Sequence, residues 1–355
     1  MIIKEETIIN DIKEIERELY RVKSFSDFSL KVSTLLTLAD IYNALTNDRI
    51  EIHIPNNKFY LTKLNNSKGY IEYILDEYFN NRKEHNRLAG KILGTFHRSN
   101  FNSFELEEGT NKVSNKVIME LIDAFLIDFN PNMRKEFNYM LMNGLIDTSL
   151  KEQLTNITFF NFYASKPYIL VDKLETIFDI DILMHELGHA YSLKMVENKS
   201  KEQSLSFTKQ YYEMFSLYIE LCFQEFLKKN HVFTKDALVI ENSFYTYMYA
   251  YFKGIKECKD FEDDYSLNTV DMETIKDAFI YSYGHYLAML LHEKRTINKE
   301  GTEDVLNDFL SYQGLLSYDE QLKLFDLDRD KLNDMKVLKK RLQIHNEEIS
   351  KHIEV

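Results

Sequence analysis

The sequence predicts a mainly α-helical protein with a small β component. Three observations predict it. Glycine and proline are scarce, 10 and 3 in 355 residues, so loops are short and few helices are interrupted. Apolar residues recur at helical spacing along most of the chain. Strand-like alternation or composition is confined to two stretches, 50–62 and 156–171.

Taken in order, Ile8, Ile9, Ile12 and Ile15, then Leu35, Leu36, Leu38 and Ile41, mark two helices with a break near Ser24–Ser29. Ile50, Ile52 and Ile54 alternate with Glu51 and His53, ahead of Pro55-Asn56-Asn57 and Phe59-Tyr60-Leu61. That pattern predicts a β-hairpin near 50–62. Helical patterning returns over about 70–98 and 112–142. Residues 156–171 are rich in aromatic and β-branched types and predict one or two strands. Pro167 cannot donate to a ladder, so an edge strand or a bend is expected there. Helices dominate again from 177. No repeat, linker or low-complexity stretch appears. The expected organisation is an N-terminal helical lobe over 1–115, carrying the hairpin, and a second domain over 116–355.

Composition narrows the function. The formal net charge is −13, and a nucleic-acid partner would call for a basic face. The densest basic cluster, Lys336 to Arg341, is interleaved with Leu and reads as one solvated helix face. The acidic surface reads as a solubility feature, with attraction for basic peptides the alternative. Two isolated thiols, Cys222 and Cys258, point to a reducing compartment. The N-terminal residues lack the layout of a signal peptide. The most apolar run, Ala278 to Leu291, is too short to span a bilayer. A cytoplasmic location away from membranes is therefore expected. Gly90-Lys91-Ile92-Leu93-Gly94 lacks the spacing of a phosphate loop.

The chemistry sits in His185-Glu186-Leu187-Gly188-His189. Residues four apart on a helix share one face, so both imidazoles can reach one ion. Glu186 lies beside them without being a ligand, where an acid can act as general base toward water. Thr176 followed by Asp179 is a capping-box pattern, with Asp in place of Glu, and no proline follows before Val196. The bland alternative is a helix that merely carries two histidines, but its apolar neighbours argue against full exposure. A hydrolytic zinc site needs a third protein ligand. Position 195 is Met195 and position 192 is Ser192, which excludes the metzincin spacing. Lys209 stands where a thermolysin-like site needs an acid. Glu213, in a strongly apolar segment, shares a helix face with Ser216 and Glu220, and a metal would compensate that buried acid.

These motifs resemble the thimet oligopeptidase and oligoendopeptidase F family of zinc metallopeptidases. The family's HE[LF]GHA matches His185 to Ala190, and its E-x-x-S-x-x-x-E matches Glu213, Ser216 and Glu220. Lys166-Pro167-Tyr168-Ile169, Asp179, Gly144-Leu145-Ile146-Asp147 and Phe309 to Gly314 resemble further family stretches. The resemblance spans roughly 120–335. It implies a zincin-like helical catalytic domain whose small β-sheet flanks the metal helix with an edge strand. It also implies one zinc ion held by His185, His189 and Glu213, with Glu186 as general base and short peptides as substrates. The chain departs from the family in two places. Only about 115 residues precede the matching region, and Thr274 stands where the family tends to place a His.

Peptide hydrolysis develops negative charge on the carbonyl oxygen, which a phenol or imidazole donor can stabilise. Tyr281, Tyr283, His285 and Tyr286 crowd one predicted helix. Tyr281 and His285 share one face, and Tyr283 and Tyr286 another. The family pattern Tyr-x-x-Tyr-Leu matches Tyr283, Tyr286 and Leu287, so Tyr283 and Tyr286 are the expected oxyanion donors, with core packing the alternative. The peptide is expected to pair along the edge strand near Tyr163–Lys166. The expected activity is hydrolysis of short peptides. A zinc carboxypeptidase and a non-catalytic peptide-binding protein on the same fold are the alternatives.

Overall fold

The computed structural model describes residues 5–23, 25–46, 49–55, 82–101, 111–148, 157–161, 166–171, 173–197, 209–258, 272–312 and 318–352. The fold is mainly α with one small sheet. Two compact units emerge. The first comprises Met1–Tyr73, Ser114–Glu175 and Glu186–Ser206; the second comprises Ile74–Val113, Thr176–His185 and Phe207–Val355.

In the first unit, helices α1 (Glu5–Leu19) and α2 (Phe25–Thr46) pack together. α1 buries Ile8, Ile12, Ile15 and Leu19, spaced by three or four residues, and leaves its acidic face to solvent. α2 begins at Phe25, so the break falls before Ser26 and Ser29, and both lie inside a helix. Of the hairpin expected over 50–62, residues 56–62 lie outside the described residues. Residues 50–55 form no strand there. Side chains take their backbone donors instead: Ile50 N–H bonds Asn43 Oδ1 at 2.7 Å and His53 N–H bonds Glu16 Oε1 at 2.6 Å.

Two helices follow, α4 (Asn115–Phe129) and α5 (Pro131–Met142), with α3 (Arg82–Arg98) belonging to the other unit. Ser114 caps α4 by accepting from Val117 N. Asn130 ends α4 and starts α5, its side chain accepting from Asn132 N and Met133 N, while Pro131 occupies the first turn, where its missing N–H costs nothing. Arg134 clasps Asp123 with two hydrogen bonds, 2.6 and 3.1 Å long.

The sheet has strands β1 (Ile146–Asp147), β2 (Ile157–Asn161) and β3 (Lys166–Leu170), in the order β1-β3-β2. β1 runs parallel to β3 and β2 antiparallel to it. Pro167 therefore lies in the middle strand, not in an edge strand. The reason it fits is one of parity. Ile169 N and Val171 N donate toward β1, to Leu145 O and Asp147 O. Residue 167 has the same parity, so its absent N–H would point to that side too, where β1 pairs only with Ile169 and Leu170. The β2 ladder loses nothing. Tyr168 reaches the other way and donates to the buried Asp11 at 2.9 Å, fastening β3 to α1.

Helix α6 (Ile177–Glu197) is one continuous element, and the division between units falls within it, between His185 and Glu186. The expected capping box is present: Thr176 N–H bonds Asp179 Oδ2 at 2.8 Å and Asp179 N–H bonds Thr176 Oγ1 at 3.2 Å.

The second unit is built on α7 (Lys209–Lys229), α8 (Thr234–Cys258) and α9 (Met272–Ile297). α9 packs along α7 and α8, and α3 packs on α8. α10 (Lys299–Tyr312), α11 (Tyr318–Leu324), α12 (Arg329–Leu332) and α13 (Lys336–His352) complete it. Leu238, Val239 and Ile349 form an apolar cluster between α8 and α13. Beside it lies a buried ionic network. Lys228 bonds Glu241 at 2.9 Å and Glu348 at 3.1 Å, and His345 lies 3.1 Å from Glu241. Arg341 donates to Tyr245 at 3.2 Å and lies 2.7 Å from His292. No helix among the described residues is long and apolar enough to cross a membrane.

Candidate metal centre

Helix α6 presents His185 and His189 one turn apart, and α7 presents Glu213. His185 Nε2 lies 3.1 Å from Glu213 Oε2. His189 offers a ring nitrogen, and one ligand atom from each of the three residues lies within 4.8 Å of the others. Two imidazoles and a carboxylate at that spacing fit a tetrahedral ion with one position left for water or substrate. Glu186, His189 and Glu213 are all buried, with no more than 6 % of each exposed. So deep a carboxylate needs compensation, which a cation held by this set would supply.

The other face of His185 is also held. Its Nδ1 makes a very short contact with Glu220, one helix face along from Glu213. With Nδ1–H donated to Glu220, the Nε2 lone pair is left for a metal. Burial disfavours charge on His185, but Glu220 and Glu213 outweigh it and raise its pKa well above the ordinary imidazole range. Behind Glu220 lies Asp181, whose carboxyl is raised well above its usual range by burial and by the Glu220 charge. Gln224 donates to it at 3.4 Å.

Glu186 points its carboxylate to β2. The Thr158 hydroxyl lies 2.6 Å from Glu186 Oε2 and 2.7 Å from the Glu186 carbonyl oxygen. Sequence reasoning missed Thr158, because a strand hydroxyl carries no local signal of a partner 28 residues away.

α9 reaches this centre through a glycine. A Cβ at Gly284 would lie 3.1 Å from Glu213 Cβ, 3.1 Å from Leu217 Cδ1 and 3.4 Å from Met214 N. A Cβ here would be tighter than ordinary contact, so the neighbouring helix would have to give by a few tenths of an ångström. That contact fixes the rotation of α9. His285, the next residue, is buried against Phe244 at 4.4 Å and beside Tyr251 and Tyr281. Burial, helped by the positive His185 and opposed by Glu213, pushes its pKa down to about 3, so it is neutral.

The two expected oxyanion donors are both buried. Tyr286 is fully buried and donates its phenol proton to Leu332 O at 2.8 Å. Tyr283 is buried with its ring edge-on to Phe252 at 5.7 Å. His285, read from sequence as a packing residue, lies within electrostatic reach of His185 and Glu213. Of the expected peptide-pairing edge strand near Tyr163–Lys166, residues 163–165 lie outside the described residues, and Lys166 opens β3, the middle strand and not an edge.

No family model matches the sequence, and none of the curated proteins matches it. Solved structures do match. A putative oligoendopeptidase F from Bacillus anthracis str. Ames superposes with a TM-score of 0.59 at 14 % identity, over 94 % of this chain and 68 % of that one. A second putative oligoendopeptidase F has a TM-score of 0.52 at 13 % identity, over 95 % of this chain and 66 % of that one. PZ peptidase A, solved with an inhibitor, has a TM-score of 0.51 at 15 % identity, over 95 % and 66 %. The chain thus spans about two thirds of the length of these structures. Its fold is that of the oligoendopeptidase F-like peptidases.

Proposed function

We propose that the chain is a zinc-dependent peptidase that hydrolyses short peptides. The observation that carries the reading is the convergence of His185, His189 and Glu213 beside Glu186, an acid that ligates nothing in that set. A purely structural metal site, or a peptide-binding surface, needs no such acid. When bound, zinc would act as a Lewis acid toward the scissile carbonyl and would make water a better nucleophile. His185, His189 and Glu213 would hold it, and Glu220 keeps His185 in the tautomer that can ligate.

The chain's own residues then do the proton work. Glu186 takes a proton from the attacking water and passes it to the departing amine. His285, neutral and close to the centre, offers an N–H to the oxygen that becomes negative. The substrate pairs its backbone with β2, an outer strand of the sheet, which favours weak sequence preference. A cytoplasmic location and a catalytic portion within 116–355 belong to the same proposal. They are supported by the unpaired, buried Cys222 and by the positions of all the named groups.

The test is product mapping on a mixed library of short peptides, with bound metal quantified. Zinc-loaded protein should cleave internal bonds, and Glu186→Gln should retain zinc while losing roughly 1,000-fold or more in kcat, the upper range for general acid–base catalysis. Stoichiometric zinc with no cleavage would sink the peptidase reading. Single-residue trimming from one end would replace it with an exopeptidase.

A further inference from the structure

We propose that Thr158 is the positioning residue that aims Glu186, and that through it β2, an outer strand of the sheet, sets the general base. The inference rests on the peptidase reading above and deepens it.

Local geometry makes the case. Glu186 is buried in mid-helix, and a glutamate side chain there has three rotatable bonds and no intrinsic reason to keep one conformation. Thr158 supplies that reason from outside. Its hydroxyl is 2.6 Å from Oε2, within the range of short O–H···O⁻ bonds. The same oxygen lies 2.7 Å from the Glu186 carbonyl. It therefore touches Glu186 at both ends of the residue. That pair of contacts fixes the carboxylate relative to its own backbone, and so relative to His185 and His189 on the same helix.

Thr158 is itself held in two ways. It pairs with Ile169 in the antiparallel ladder between β2 and β3. Its branched Cβ restricts χ1, so the hydroxyl has few directions to point. β2 is one of the two outer strands in the order β1-β3-β2, and at five residues against two in β1 it is the one long enough for a peptide adding to this sheet to pair with. A peptide bonded to β2 would steady the strand that carries the hydroxyl. Substrate docking and aim of the base are thereby coupled through one side chain.

Thr158 touches none of His185, His189 and Glu213 and acts only through the Glu186 carboxylate, so its effect should appear in kcat and not in metal binding. The experiment compares the zinc-loaded wild-type protein with Thr158→Val and Thr158→Ser. Valine keeps the shape and removes the hydroxyl; serine keeps the hydroxyl and loosens it. Val should lower kcat roughly 10- to 100-fold, the usual effect of losing an outer hydrogen-bond partner. KM, zinc affinity by chelator competition and the melting midpoint of the apo protein should change little. Ser should recover most of kcat. A crystal structure of Thr158→Val should show the Glu186 carboxylate in more than one rotamer, which is a readout independent of turnover.

Wild-type kcat in Thr158→Val overturns the proposal, as does a serine variant as slow as the valine one. A valine variant that loses zinc or stability in proportion to kcat also overturns it, since that marks a structural role. Absence of peptide cleavage by the wild-type protein would instead remove the peptidase reading, so the two failures are distinguishable.

Discussion

His285 and Tyr286 are adjacent in sequence but face different duties, and one pair of substitutions separates them. Tyr286 spends its proton on Leu332 O inside the core. A group already donating there cannot also donate to a substrate oxygen. Tyr286→Phe should cost about 1 kcal/mol of stability, the net worth of one buried hydrogen bond, and leave kcat nearly unchanged. His285 carries a neutral ring close to His185 and Glu213. His285→Phe keeps an aromatic ring against Phe244 and removes both ring nitrogens. It should lower kcat roughly 100-fold with intact zinc, the order found for a single oxyanion donor. Melting curves and steady-state kinetics on the two variants decide the matter. A slow Tyr286→Phe beside a normal His285→Phe would return the role to the tyrosine.

Between elements, the decisive contact is α9 against α7 at Gly284. Two effects oppose each other there. Alanine is favoured over glycine within a helix by roughly 1 kcal/mol. Its methyl would press on Glu213 Cβ, Leu217 Cδ1 and Met214 N. Leu217 can turn aside, but a helix backbone atom and a Cβ move only if the helices part, and such overpacking costs about 1–3 kcal/mol. The second effect should win. Gly284→Ala should lower the apo melting midpoint and weaken zinc binding, because Glu213 is the atom pushed. Calorimetry without metal and chelator competition with it test both parts; a more stable variant with unchanged zinc affinity would show that the close approach is not required. The same contact explains what was legible in the sequence. The capping box of Thr176 and Asp179 and the His185–His189 spacing are local, so both could be read directly. The helical wheel of α9 correctly split Tyr281 and His285 from Tyr283 and Tyr286. It could not say how either pair sits against α7, because that rotation depends on Gly284 meeting a helix some seventy residues earlier. Pro167 was misplaced for a similar reason: the length of β1, not the strand's own composition, decides whether a proline is tolerated. Glu220 shared a visible face with Glu213, but its partner His185 lies 35 residues away.

At the scale of the whole chain, 57 acidic residues against 44 basic ones set the surface charge, yet response to acid is set by a few buried groups in the second unit. Glu241 is enclosed, and burial would raise its pKa; Lys228, His345 and Arg341 overcome that and hold it far below the usual carboxylate range. His292 is kept neutral by burial and by Arg341, against the pull of Glu225. Both shifts are downward. A group whose folded pKa is depressed contributes stability that is present above its unfolded value and is lost as pH falls toward the folded one. Stability should therefore begin to decline below about pH 6.5, as His292 would gain its proton more readily in the unfolded chain, and fall more steeply below about pH 4.5 through Glu241. Lys228 carries the opposite sign. Its pKa is raised by Glu241 and Glu348 despite burial, so its contribution persists to high pH and erodes only beyond about pH 10.4. Glu241→Gln isolates the network. Leaving Lys228 and Arg341 without their shared carboxylate should cost about 3–5 kcal/mol at pH 7. It should also flatten the acid limb, because the group that resists protonation is gone. Thermal midpoints of both proteins from pH 4 to 8, measured without metal so that the ligand histidines add no coupled binding, test this. Parallel curves displaced by a constant would mean that Glu241 is not the source of the acid limb, and that the network serves packing of α13 alone.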